Sequence, residues 1–265
     1  MKLPVLISVP HGGFQVPEEV APLVQIGKGE IYEDTDPFAR QIFNLEEDVA
    51  AYVDFAYART FVDVNRAPND IAPENPDGAV KSHTRVGLPI YQKELPSGVI
   101  SQLLLRYHTP YHEQLTRAMN EHDIQLALDC HTMNPVGPLY APDPGQKRPL
   151  ICLSNTDGAT ASMETLSYLA DCMARAFKVP RTTVLLNQPF KGGYIIKKGS
   201  AEGTPWVQVE INRSLYMERL DYGTDGPPVN SARIRELNWQ WKRALIQFFK
   251  GSLQKNDSDR EEAYS

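Results

Sequence analysis

The stretch Ile124-Gln125-Leu126-Ala127-Leu128-Asp129-Cys130-His131-Thr132 decides the fold. Its apolar run, bounded by the Pro-rich sequence that follows, reads as a buried strand. Asp129 and His131 then emerge at the strand's carboxyl end, the edge where open α/β sheets bind ligands. Residues two apart on an extended chain share a side. The Asp129 carboxylate can therefore orient the His131 ring, or both can face a metal ion. Taken alone, the pair is equally compatible with turn formation and capping.

Outward from this strand, the pattern alternates between short apolar runs and helical periodicity. Val5 to Val9 reads as a strand that delivers His11 into the turn Pro10-His11-Gly12-Gly13. Asp36-Pro37 reads as an N-cap with Pro at the first helical position, opening a helix through Ile42, Phe43, Leu45 and Val49. Ala58 to Val64 looks like a strand bracketed by Arg59 and Arg66, whose guanidinium forks suit carboxylates. Their odd separation puts both in one cleft only if the chain bends near Asn65. The Pro- and Gly-rich segment from Ala72 to Ser97 is a long excursion of the kind that often covers substrate.

Helical spacing from Gly98 to about His122 predicts a helix kinked at Pro110. His108 and His112 lie on one face of it, at a spacing that suits metal, but the His-Glu-x-x-His pattern is absent and a supporting role is favoured. Further strands are expected at Leu150 to Leu153, Thr183 to Leu186 and Trp206 to Arg213, with a helix from Ser162 to Phe177. Gly192-Gly193 is a turn feeding another strand, where backbone amides could approach a ligand, although a tight turn alone accounts for the pair. Glu210 sits between Val209 and Ile211. Burial without a partner would raise its pKa, as a general base near neutral pH requires; the plainer alternative is an ion pair with Arg213 or another Arg.

The chain has 265 residues, 42% of them hydrophobic, enough for one large core and short for two. We assign residues 1–250 to a single α/β domain closed by a helix from about Ser231 to Lys250. Residues 251–265 form a polar tail expected to be disordered. A formal charge of -6 argues against a nucleic-acid surface. The three cysteines, Cys130, Cys152 and Cys172, lack CxxC spacing and suit reduced core thiols. No stretch approaches the length of a signal peptide or membrane span, so a soluble cytoplasmic protein is expected.

Taken together and in order, several motifs resemble those of the N-formylglutamate amidohydrolases. They are Ser8-Val9-Pro10-His11-Gly12-Gly13, Asp34-Thr35-Asp36, Val62-Asp63-Val64-Asn65-Arg66, Pro110-Tyr111-His112, Asp129-Cys130-His131-Thr132, Phe190-Lys191-Gly192-Gly193-Tyr194, and Glu210 followed by Tyr216-Met217. The resemblance implies a three-layer α/β/α fold with a mixed, largely parallel sheet, similar to the zinc carboxypeptidases. It also implies a zinc-dependent hydrolase that releases formate and glutamate from N-formylglutamate, or cleaves a related N-acyl amino acid, in histidine degradation.

A catalytic zinc needs three ligands and an open position, and His11, His131 and one carboxylate supply the set. Zinc carboxypeptidases take that carboxylate from a Glu three residues after the first His; here that position is Phe14. Asp36 resembles the family's aspartate, with Asp34 the runner-up. Glu210 is then the general base acting on metal-activated water. Arg59 is the oxyanion stabiliser, Arg66 and Asn65 hold the substrate carboxylate, Gly192 and Gly193 line the substrate site, and Asp129 orients His131 or His11. Another deacylase or carboxypeptidase-type hydrolase on the same fold, or a binding scaffold without activity, remains open at this point.

Overall fold

The computed structural model describes residues 2–139, 141–218 and 230–263. Its strands are β1 (Leu3–Val9), β2 (Val49–Asp54), β3 (Leu126–Met133), β4 (Ile151–Ser154), β5 (Val184–Leu186) and β6 (Trp206–Asn212). They form one six-stranded sheet in the order β2-β1-β3-β6-β4-β5. β2, β1, β3 and β6 run parallel, whereas β4 joins β6 antiparallel and pairs with β5 in parallel. The sheet is mixed and mostly parallel, as expected.

Two apolar clusters, one on each face, make the fold three-layered. Val5, Ile7, Val9, Leu126, Leu128, Cys130, Val207, Val209 and Ile211 pack on one face against α2 (Ala39–Phe43), α5 (Met163–Phe177) and α7 (Ser231–Ala263). Leu6, Ala127 and Trp206 face the other layer, with α3 (Ser97–Leu103), α4 (Thr109–Glu121) and α6 (Tyr194–Gly199). This alternation sets the site. With Leu128 and Cys130 in the first layer, Asp129 and His131 must point into the second, and Val209 and Ile211 likewise turn Glu210 that way. Each fully buried Val, Leu or Ile side chain contributes roughly 1.5–3 kcal/mol. A one-residue slip would transfer the whole set to the opposite layer and carry His131 to the wrong face.

Several local expectations need correction. The helix after Asp36 ends at Phe43, and Val49 opens β2 rather than continuing that helix. Asp36 is not its cap: Phe38, at φ 64°, occupies that position. The segment from Ala58 to Arg66 is no strand. Phe61 and Val62 both donate backbone N–H groups to Ala58 O, a helical-type turn that packs its apolar side chains into the second cluster. Strand parity therefore does not apply to Arg59 and Arg66, and the turn itself brings both to the cleft. After Gly193 the chain enters α6 instead of a strand, because Ile195 and Ile196 bury while Lys197 stays exposed, a helical rather than alternating pattern.

The helix expected to kink at Pro110 passes from α3 through a π-helical segment, Leu104–His108, into α4, where Pro110 lies in the first turn. The helix is continuous there, and the wider π-helical bonding just before it, as from the Thr109 N–H to Leu104 O, accommodates a residue without an N–H. α7 is assigned from Ser231 to Ala263. Cys130, Cys152 and Cys172 are free and buried. Among the described residues no helix is long and apolar enough to cross a membrane.

Candidate active site

The carboxyl ends of β1, β3 and β6 converge. His11 follows β1 in a small-residue turn, His131 lies near the end of β3, and Glu210 is its register partner on β6. Asp36 is brought in by its loop, where its backbone N–H donates to His11 O. His11, Asp36 and His131 are all buried and offer one ligand atom each within 4.8 Å of one another, an arrangement that could hold a metal ion. Asp36 Oδ2 lies 3.2 Å from His131 Nδ1 and 3.8 Å from His11 Nδ1.

The residues fit a divalent ion on two counts. His11 Nδ1 is buried and has no hydrogen-bond partner among the described residues. The opposite nitrogen of each ring is fixed by a carboxylate: His11 Nε2 donates to Asp63 Oδ1 at 2.8 Å and His131 Nε2 to Asp129 Oδ2 at 2.9 Å. That is the usual way proteins set the tautomer of a metal-binding imidazole. Asp129 thus orients His131. The partner of His11 is Asp63, which sequence reasoning passed over although it lies in the Val62-Asp63-Val64-Asn65-Arg66 motif, a carboxylate between two valines. Asp63 is held in turn by Arg59, whose Nη2 donates to Oδ2 at 2.6 Å, and by the Asn65 backbone N–H at 2.9 Å. Asp129 Oδ1 accepts from Ser8 Oγ, which also meets Tyr111 OH.

Burial, followed by the Arg59 charge, pulls the His11 pKa down to about 4, so its ring is neutral near pH 7. Burial also opposes charge on His131, but Asp129 and Asp36 outweigh it and raise its pKa well above 6.5. Burial works to raise the Asp36 carboxyl, and the hydrogen bond from His131 with the charges of His11, His131 and Arg213 holds it below the usual range instead. Arg213, the expected alternative partner for Glu210, turns to Asp36: its Nη2 donates to Asp36 Oδ1 at 3.1 Å and to Thr35 O at 2.6 Å. Glu210, by contrast, is 7% exposed, and burial pushes its pKa up to about 7. Gln208 Nε2 donates to Glu210 Oε1 at 3.0 Å, and Gln208 Oε1 accepts from the Gly193 N–H at 2.8 Å. Gln208 was missed, yet its place two residues before Glu210 on one strand is the signal that it shares the face.

Asp34, the last residue of α1 (Lys28–Asp34), belongs to a different network. It receives the buried Lys81 ammonium at 2.8 and 3.1 Å, which leaves Asp36 as the carboxylate beside the imidazoles. His108 and His112 do not join the centre: they donate through Nε2 to Arg66 O and Val64 O, each at 2.9 Å, and so brace the turn that carries Asp63. The Asn65 side chain is a bridge, giving Nδ2–H to Asp129 and accepting from the Ile195 N–H. At Gly193 a Cβ would lie 2.4 Å from Asn65 Oδ1, and at Gly192, with φ +116°, it would lie 2.2 Å from Ile196 Cδ1. Both glycines are required by close packing there, and the Gly193 amide is already given to Gln208. A cavity of about 770 Å³ opens over the centre, lined by His11, Asp36, His131 and Glu210 and also by Arg59, Asn65, Arg66, Gly192 and Gly193.

If the two histidines hold a divalent ion, replacing Asp63 or Asp129 by Asn should weaken its affinity about 10–100-fold, the usual cost of losing an outer partner of a ligating histidine. Competition with a zinc chelator measures it. Unchanged affinity in both variants would show that the carboxylates serve folding alone.

The fold and this constellation define a class: an α/β protein with a candidate metal centre of two carboxylate-oriented histidines and one carboxylate, and a buried glutamate beside it. Within that class, the chain belongs to the N-formylglutamate amidohydrolase family, whose model matches residues 3–217. It is 28% identical over 233 residues to N-formylglutamate deformylase of Pseudomonas putida, covering 83% of this chain and 84% of that protein. Two crystal structures share the fold. N-formylglutamate amidohydrolase from Ralstonia eutropha JMP134 aligns with a TM-score of 0.75 at 24% identity, covering 94% of this chain and 95% of that one. The gene product Atu2144 from Agrobacterium tumefaciens aligns with a TM-score of 0.65 at 16% identity, covering 94% and 90%.

Proposed function

We propose that this protein is a zinc-dependent amidohydrolase that cleaves N-formyl-L-glutamate to formate and glutamate. The observation that carries the reading is the meeting of His11, Asp36 and His131 beside Glu210 in a chain of this family. A divalent ion held by those three ligands would acidify water and polarise the formyl oxygen. Glu210, with its pKa near 7, takes the proton of the attacking water and returns it to the leaving nitrogen as the C–N bond breaks. Arg59 stabilises the tetrahedral oxyanion: its Nη2 is anchored on Asp63, while its buried Nε has no partner among the described residues. Arg66, half-exposed in the cavity wall, holds the α-carboxylate and so fixes the carbonyl for attack. Asn65, Gly192 and Gly193 shape the floor beneath the substrate.

Metal analysis of protein purified without chelator, with a panel of N-formyl, N-formimino and N-acetyl amino acids scored by release of free amine, tests this. About one zinc per chain is expected, with the fastest release from N-formyl-L-glutamate. A metal-free protein that releases no amine from any of them would overturn the proposal.

A further inference from the structure

N-formylglutamate carries a second carboxylate, and most arginines lining the cavity are already committed. Arg148 gives Nε and Nη2 to the two oxygens of Asp143, both at 2.7 Å. Arg213 is spent on Asp36, Thr35 and the β3 end, and Arg59 is anchored on Asp63. Arg85 differs. It lines the cavity with its side chain 31% exposed, and its Nε meets Asp34 Oδ1 at 3.3 Å. Its two terminal nitrogens make no hydrogen bond with the described residues.

The local chain presents this fork firmly. Thr84 accepts the Gly87 N–H through its carbonyl and the Leu88 N–H through its hydroxyl, closing a tight turn with Gly87 at φ +81° and Arg85 near its apex. Beneath it lies a buried strut: Lys81, inaccessible at its side chain, joins Asp34 at 2.8 Å to Asp77 at 2.6 Å, and Asp77 meets Arg66 Nη2 at 3.3 Å. One buried ammonium thus ties Arg85 and Arg66 together through their carboxylate partners. Arg66 is the residue assigned above to the α-carboxylate.

Resting on that functional reading, we propose that Arg85 is the specificity-determining residue for an acidic side chain, receiving the substrate's second carboxylate while Arg66 receives the first. A two-pronged guanidinium contact distinguishes carboxylate from the isosteric amide, because the amide has no charge and offers one acceptor oxygen.

The test compares N-formyl-L-glutamate with N-formyl-L-glutamine by kcat/KM, and L-glutamate with L-glutamine by calorimetric Kd, in the wild type and in R85A, R85M, R85K and R148A. A hydrogen bond between charged groups corresponds to a preference for the acidic ligand of roughly 10–100-fold. Both ratios should fall to near one in R85A and R85M and be partly kept in R85K. The proposal is overturned if the wild type shows no preference, if R85A weakens both ligands equally or leaves the ratios intact, or if R148A collapses them instead. Failure of the deformylase reading looks different: no formate is released from either substrate, while the wild-type Kd ratio and its loss in R85A persist.

Discussion

Glu210→Gln is expected to keep the fold, the zinc and nearly all substrate affinity while turnover falls roughly 10²–10⁴-fold, the usual contribution of a positioned acid-base group. The substitution is close to isosteric, and the Gln208 contact is made to an oxygen that the amide retains. What disappears is the proton acceptor. Glu210 has the pKa that the task demands because burial disfavours its ionised form, with the Asp36 charge adding to that and the His131 charge opposing it. Its neighbours Val209 and Ile211 are fully buried in the opposite layer, so no large rearrangement can turn the side chain out to solvent. Steady-state kinetics with metal analysis on the same preparation separates the outcomes. Near-normal turnover with full zinc would reduce Glu210 to a structural partner and remove the proposed base.

Which parts were legible in the sequence follows from the range of the interactions involved. β3 was plain because every residue from Leu126 to Met133 is buried, and its apolar run enters the sheet without a polar face and ends in Asp-x-His. β6 and α5 were equally clear, the latter marked by Ser162, whose side chain accepts from the Thr165 N–H as a cap. The errors fall where local pattern and tertiary contact disagree. Phe61, Val62 and Val64 resemble a strand, yet their backbone is held by Ala58 and by His112 from α4, a contact 48 residues away. Asp36 has the local chemistry of an N-cap, and only the partners at positions 131 and 213 reveal that its carboxylate is taken elsewhere. Asp36 was preferred to Asp34 from the motif resemblance; the contact that sets the two apart in the structure, Lys81 on Asp34, lies 47 residues beyond Asp34. Such pairings leave no periodicity in a single chain.

The same separation of Asp36 from Asp34 gives the second large effect. His11→Ala, His131→Ala and Asp36→Ala should each weaken zinc binding by more than the 10–100-fold typical of outer partners, since each deletes one of the three proposed protein ligands. Asp34→Asn should leave zinc affinity largely intact and instead cost stability. It removes the negative charge of one of the two carboxylates that face a buried ammonium, although the amide oxygen can still accept from it, and losing a charge partner costs up to about 3–5 kcal/mol when the remaining charge is uncompensated. Asp77 still faces Lys81, so the cost should fall below that ceiling. Zinc competition and thermal denaturation therefore rank the variants in opposite orders. A ligand present at 100 times its Kd stabilises a fold by about 2.7 kcal/mol, so added zinc should raise the melting temperature of Asp34→Asn as it does that of the wild type. The three ligand variants should show little such gain. If Asp34→Asn lost its zinc response while Asp36→Ala kept it, the carboxylate ligand would be Asp34, and the role of Lys81 would have to be rethought along with it.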